Sequence, residues 1–164
     1  MSNLGSFCGY LAVLVSGASF GTMLTGALVL VPSWRSAPAP EFLSWFAANA
    51  SRLAIYAGTL QSATIVLSLV CALLFRSVAS WLAAAFAIAV LATFPLYFRA
   101  ANASFVAQSI PLDQVADELA RWAAWQWART GLGLAAFALL LHSSIRSARL
   151  ALSRERRRPD SNRG

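Results

Sequence analysis

The chain holds little of what soluble proteins use to face water. Only 12% of its 164 residues are charged, lysine is absent, six residues are acidic and a single histidine, His142, is present. Soluble domains carry about 25% charged residues, so a water-covered surface around an ordinary core is excluded. The missing lysine excludes nothing further, because all 13 basic residues are arginines. Two cysteines, Cys8 and Cys71, lack CxxC spacing and have no histidine cluster nearby. That excludes a disulfide framework, a zinc site and a thioredoxin-like redox motif, and leaves both as small apolar residues of helices. The apolar stretches also lack paired carboxylates, so they offer no proton or ion coupling of the kind a transporter needs.

What remains is greasy. Hydrophobic residues make up 59% of the chain and the mean hydropathy is +0.63. Three runs carry no charge: Phe7 to Val31, Leu53 to Phe75 and Ser77 to Phe98. A fourth, Trp122 to Ile145, is interrupted only by Arg129. Each exceeds the ~20 residues that span a bilayer core. The expected fold is therefore all-α: an integral membrane four-helix bundle over residues 1–145, with spans 7–31, 53–75, 77–98 and 122–145. The first run has no basic residue before it and is longer than a signal-peptide core, so it is read as a retained helix. Gly5 and Gly9 at its start, and Gly17 and Gly21 within it, have the GxxxG spacing that lets helices approach closely.

The links are informative too. Arg76 and Ser77 form a break short enough to make the second and third spans a hairpin. Residues 32–51 contain three prolines, which interrupt a helix. After them, Phe42, Trp45 and Phe46 are spaced as in a short interfacial helix with its rings at headgroup level. Residues 99–120 read as a polar link, with a helix starting after Pro111 and Asp113 favoured by its dipole. Seven of the 13 arginines follow residue 145. This basic tail, 146–164, is expected to be disordered and cytoplasmic, against anionic lipid. Four spans then put both termini inside, with Arg76 on the same side. Four of the six acidic residues fall in the outward links. The expected location is the plasma membrane (the inner membrane of a bacterium), and the expected partners are membrane lipids. No nucleic-acid-binding fold accompanies the tail, so nucleic acid is not an expected partner. A homodimer stays open.

The segment 121–130, RWAAWQWART, carries the chemistry. At about 100° per residue, Arg121, Trp122, Trp125, Gln126 and Arg129 fall in one sector of the helix, shared with Gly133 and Ala136, while Trp127 points away. Arg129 lies about 12 Å along the axis from Arg121, well inside the apolar layer, where a charge costs at least ~2.5–3.5 kcal/mol. Two explanations stand: the side chain snorkels back to the interface, or it faces the bundle interior and holds an anionic or carbonyl-bearing ligand with its fork of donors. Gln61 in the outer half of the second span and Asn102 just past the third lie at similar depth. Each alone more often bonds a neighbouring helix. Together they give a candidate binding set of Gln61, Asn102, Trp122, Trp125, Gln126 and Arg129, with no metal and no assigned catalyst. The ligand would be a hydrophobic or aromatic small molecule. His142 falls on another face near the cytoplasmic end.

These pieces resemble the DUF1772 family, which includes the anthrone oxygenase-like proteins. They are GASFGTMLTGALVLVPSW, YAGTLQSA with Gln61, YFRAANASF with Asn102 and RWAAWQWART with Trp122 and Arg129, spread over roughly residues 8–142. The resemblance implies a small four-helix membrane protein that oxidises a polyphenolic anthrone to a quinone with O₂, without metal, flavin or other cofactor. This chain departs from the family at two points. Gln126 stands where the family pattern W-x-x-x-H-x-x-R has histidine, and Arg99-Ala100-Ala101 stands where a proline often precedes the asparagine. Oxygenation needs a base to ionise the substrate, and Gln126 is none. The alternative is a non-enzymatic membrane protein that binds a lipid or a partner.

Overall fold

The computed structural model describes residues 3–156, and these are helical throughout apart from short links. The first rod is α1 (Asn3–Thr25), a π-helical turn (Gly26–Leu30) and α2 (Val31–Ser36). After Ala37-Pro38 comes α3 (Ala39–Phe75). The third rod is α4 (Val78–Thr93), a second π-helical turn (Phe94–Phe98) and α5 (Arg99–Val106). A 3-10 turn (Leu112–Gln114) leads into α6 (Val115–Arg156). Both π-turns accompany a proline, Pro32 just after the first and Pro95 within the second. Proline cannot donate to the regular ladder. A wider turn keeps the rod continuous, with Val31 N–H reaching the Gly26 carbonyl and Arg99 N–H the Phe94 carbonyl.

Four helical stretches are long and apolar enough to cross a membrane: Gly5–Ser36, Ala39–Phe75, Val78–Val106 and Leu112–Leu150. They form a four-helix bundle in which α1 and α4 each pack against both α3 and α6. The links between rods are short, so neighbouring rods run antiparallel. The fold is that of an integral membrane protein. The sharpest turn is built at Arg76, which takes the left-handed conformation (φ 50°) and donates its N–H to Ala72 O at 3.0 Å. Ser77 then caps α4 in a reciprocal capping box with Ser80, satisfying two otherwise orphaned donors.

Several expectations about the links are corrected. Residues 39–52 do not form a separate interfacial helix; they are the first turns of α3. Phe42 and Phe46 are buried, and of the three rings only Trp45 stays exposed. The physical reason is Trp34, whose ring lies 5.7 Å from Phe42, 5.6 Å from Phe46 and 5.3 Å from Trp122. Phe105 closes the cluster against Phe42 at 5.1 Å. Edge-on aromatic pairs add about 0.5–1.5 kcal/mol each beyond area burial, which draws the rings inward. The supposed polar link 99–120 is likewise mostly helix. At the other end α6 continues to Arg156, so the first part of the basic tail is helical. Residues 157–164, also assigned to a disordered tail, lie outside the described residues.

The glycines divide by use. A Cβ on Gly9 would stand 3.1 Å from Phe75 and from Ser144, and one on Gly17 3.2 Å from Phe137. These two permit close helix approach. Gly21 faces open space, so the second GxxxG pair contributes one packing glycine rather than two. His142 is exposed.

Candidate binding site

Along α3, no residue from 47 to 60 is buried, although Phe46 before them and Gln61 after them are. The α3 residues that line the space here include the small Ala50, Ala54, Ala57 and Gly58. They are too short to reach the opposite helices. A cavity of about 380 Å³ lies behind them, within the roughly 300–1,000 Å³ usual for small-molecule sites. Trp34, Phe46 and Trp122 form its aromatic end. Met23 and Gln61 border it, and Leu53, Leu60, Val90, Leu91 and Phe94 give apolar walls. Gly26 and Phe94, the opening residues of the two π-turns, both line it.

Five of the six candidate residues line this one cavity: Gln61, Asn102, Trp122, Gln126 and Arg129. Trp125 does not. Its ring stacks on Tyr97, 5.2 Å away and 4° from parallel, and the Tyr97 hydroxyl donates to Glu118 Oε1 at 2.7 Å. The helical wheel gave Trp125 the right sector but not its neighbour. Tyr97 is delivered by the π-turn and fills the seam between the third span and α6. Arg121 is exposed and paired with Glu118 on the surface of α6. Gly133, in the same sector, packs directly on α1: a Cβ there would collide with the Met23 methyl.

Two of the amides are bound into the frame. Gln61 donates Nε2–H to Ala87 O at 2.7 Å and accepts from Ser19 Oγ at 3.2 Å, which ties α1, α3 and α4 together. Gln126 is fully buried and donates Nε2–H to Met23 O at 2.7 Å. Its Oε1 is buried without a partner. Asn102 accepts from the Trp122 indole N–H at 3.0 Å, which orients that ring and leaves the Asn102 amide hydrogens free of hydrogen bonds among the described residues.

Arg129 turns inward. Helical side chains lean toward the N-terminus of their own helix, and its guanidinium carbon sits 4.3 Å from the Phe98 ring centroid and 5.7 Å from that of Trp122. Cation–π attraction supplies about 0.5–2 kcal/mol at such sites. No carboxylate forms an ion pair with Arg129 among the described residues, and its Nε is buried without a hydrogen-bond partner. The result is an apolar chamber carrying one unpaired cation, a free amide donor and an unpartnered amide oxygen. The cation and the amide donor can hold a ligand oxygen, charged or carbonyl, against an aromatic wall; the Gln126 oxygen, an acceptor only, takes no part in that. The titratable groups that line it are Arg129 and Tyr56.

Apart from Gln61, sequence reasoning missed the α3 side of the site. The signal was present in the small residues Ala50, Ala54 and Gly58, spaced four apart on one helix face beside Ala57. It missed Trp34 and Phe46 as well: Trp34 was left in the proline-containing link 32–51, and Phe46 was assigned to the interface. No family model matches the chain, and no curated protein or solved structure is similar to it.

Proposed function

We propose that this multi-pass membrane protein binds an oxygen-bearing hydrophobic or aromatic small molecule in the chamber beneath Trp34 and Trp122. Arg129 holds the ligand's anionic or carbonyl oxygen. With the basic tail in the cytoplasm, the chamber lies in the outer half of the plasma membrane. The observation that carries this reading is the Arg129 guanidinium, which borders an apolar cavity with no ion pair and no hydrogen bond among the described residues. A charge at that depth costs at least ~2.5–3.5 kcal/mol. A purely structural role would be filled more cheaply by leucine or methionine.

The likeness to DUF1772 and its anthrone oxygenase-like members suggests oxidation of the bound molecule. The lining supports binding better than catalysis. Oxygenation needs a base; a guanidinium stays protonated, and Gln126 occupies the place of the family's histidine. The chain is therefore read as a binder rather than an oxygenase, with lipid or a lipid-soluble aromatic as the class of ligand.

Titration of the purified full-length protein with naphthoate, an aromatic carboxylate, tests the binding. Saturable binding is expected, weakened about tenfold or more in Arg129→Gln, since a charge-assisted hydrogen bond contributes about 1.5–3 kcal/mol. Equal affinity in both proteins would overturn the reading. Incubation with an anthrone and O₂ is expected to give quinone only at the uncatalysed rate. Quinone formation that is lost in Arg129→Gln would make the protein an enzyme.

A further inference from the structure

The chamber has two seams along α3, and they differ. On the α1 side the seam is bridged: Thr22 donates to the Tyr56 hydroxyl at 3.4 Å, and nearer the other end of the bundle the Cys71 thiol reaches the Cys8 carbonyl at 3.8 Å. On the α4 side no side-chain hydrogen bond crosses the seam above Gln61 among the described residues, and the next bridge is Phe105 against Phe46 at the aromatic end, 5.4 Å between ring centroids. At about 100° per residue, Ala54 and Gly58 fall roughly opposite Tyr56 on the helix circumference, toward α4. Both are exposed, and both line the cavity. Counting outward from the hydrogen bond between Gln61 and Ala87 in antiparallel register sets Gly58 level with Val90, one residue short of Leu91, and Ala54 level with Phe94. Leu91 and Phe94 also line the cavity, yet are 46% and 44% exposed. A Cβ on Gly58 would meet nothing within 4 Å.

We infer that the chamber opens sideways between α3 and α4, at Gly58 and Leu91, and admits an acyl-chain carboxylate directly from the lipid phase. Three features select that occupant. The opening is rimmed by apolar or small groups at membrane depth, so what passes through it is dissolved in the bilayer rather than in water. Arg129 is a single cation with no carboxylate partner among the described residues, so it matches one negative charge. Its planar fork suits a carboxylate held bidentately, with the Asn102 amide as a further donor. The guanidinium leans toward Phe98 and Trp122, above the opening. The head group is thus held under the aromatic end while the chain leaves through the seam. The inference rests on the reading of Arg129 as the anion-holding group, and adds the ligand class and its route.

The test uses the full-length protein in nanodiscs of saturated phosphatidylcholine, with dibromostearate as a tryptophan-quenching probe. Saturable quenching, displaced by oleate, is expected. Arg129→Gln is expected to weaken it about tenfold or more. Gly58→Phe, which fills the opening and is checked for fold by circular dichroism, should weaken dibromostearate binding by a similar factor. Naphthoate binding without dibromostearate binding would overturn the acyl-chain inference and leave the aromatic site standing. Dibromostearate binding indifferent to Gly58→Phe would overturn the route. Saturable quenching by brominated phosphatidylglycerol in preference to the free acid would overturn the carboxylate head group. Failure to bind either acid would remove the site as well as the inference.

Discussion

At Gly26 a Cβ would stand 2.7 Å from Nε2 of Gln126. That nitrogen is the donor to Met23 O, in a fully buried amide. Gly26→Ala should therefore displace the amide and leave buried polar groups unsatisfied, at a cost of about 1–3 kcal/mol. Denaturant unfolding of the variant in detergent checks this; an unchanged midpoint would show that the amide moves freely. Polar groups are rare enough in the apolar runs that Gln61, Gln126, Arg129 and the flanking Asn102 stand out in the bare sequence, and all four line one cavity. Trp125 shows where residue-level reasoning stops. Helical angle places a side chain in a sector, but whether it reaches a cavity depends on a neighbour such as Tyr97, supplied by a π-turn that no periodicity announces.

The helices decide whether there is a cavity at all. The segment 47–60 of α3 contributes no buried residue, because alanine and glycine occupy its inward positions. Ala57→Leu should fill part of the space. In a bilayer the added carbons gain packing contacts rather than escape from water, so the variant is expected to be more stable by up to about 1 kcal/mol while naphthoate affinity falls. A destabilised variant would mean that α3 is already in contact there. The spans were legible because each uncharged run is long. Their lengths were not, since the prolines of 32–51 were read as interruptions and charges such as Arg52 and Arg99 as the ends of spans. Pro32 and Pro95 lie beside or within π-turns, and Pro38 and Pro40 stand at the start of α3, where a missing N–H costs nothing. Apolarity marks what the bilayer requires; tertiary aromatic packing around Trp34 extended the rods beyond it.

For the molecule as a whole, four antiparallel rods set the loops at 37–38 and 107–111 at one end and the Arg76 turn at the other. The distribution of arginine predicts that the Arg76 end faces the cytoplasm. With the two native cysteines replaced by alanine, Gln108→Cys should react with a membrane-impermeant maleimide applied to intact spheroplasts, whereas Ser77→Cys should react only after lysis. The reverse pattern would invert the molecule and move the chamber to the inner leaflet. The bundle and its membrane character were readable from hydropathy alone, whereas the chamber depended on which faces the assembled rods leave unfilled.

The central claim is that Arg129 is kept for a ligand at the expense of the empty bundle. Thermal unfolding of Arg129→Met, with and without naphthoate, tests it most directly. Without ligand the variant should unfold at a higher temperature than wild type, since methionine fills similar volume with no buried charge. With ligand only the wild type should gain, in proportion to ligand concentration over its dissociation constant. A variant that unfolds earlier in the ligand-free state and gains as much from naphthoate as the wild type would show Arg129 to be a structural residue and the chamber to have no anion to hold.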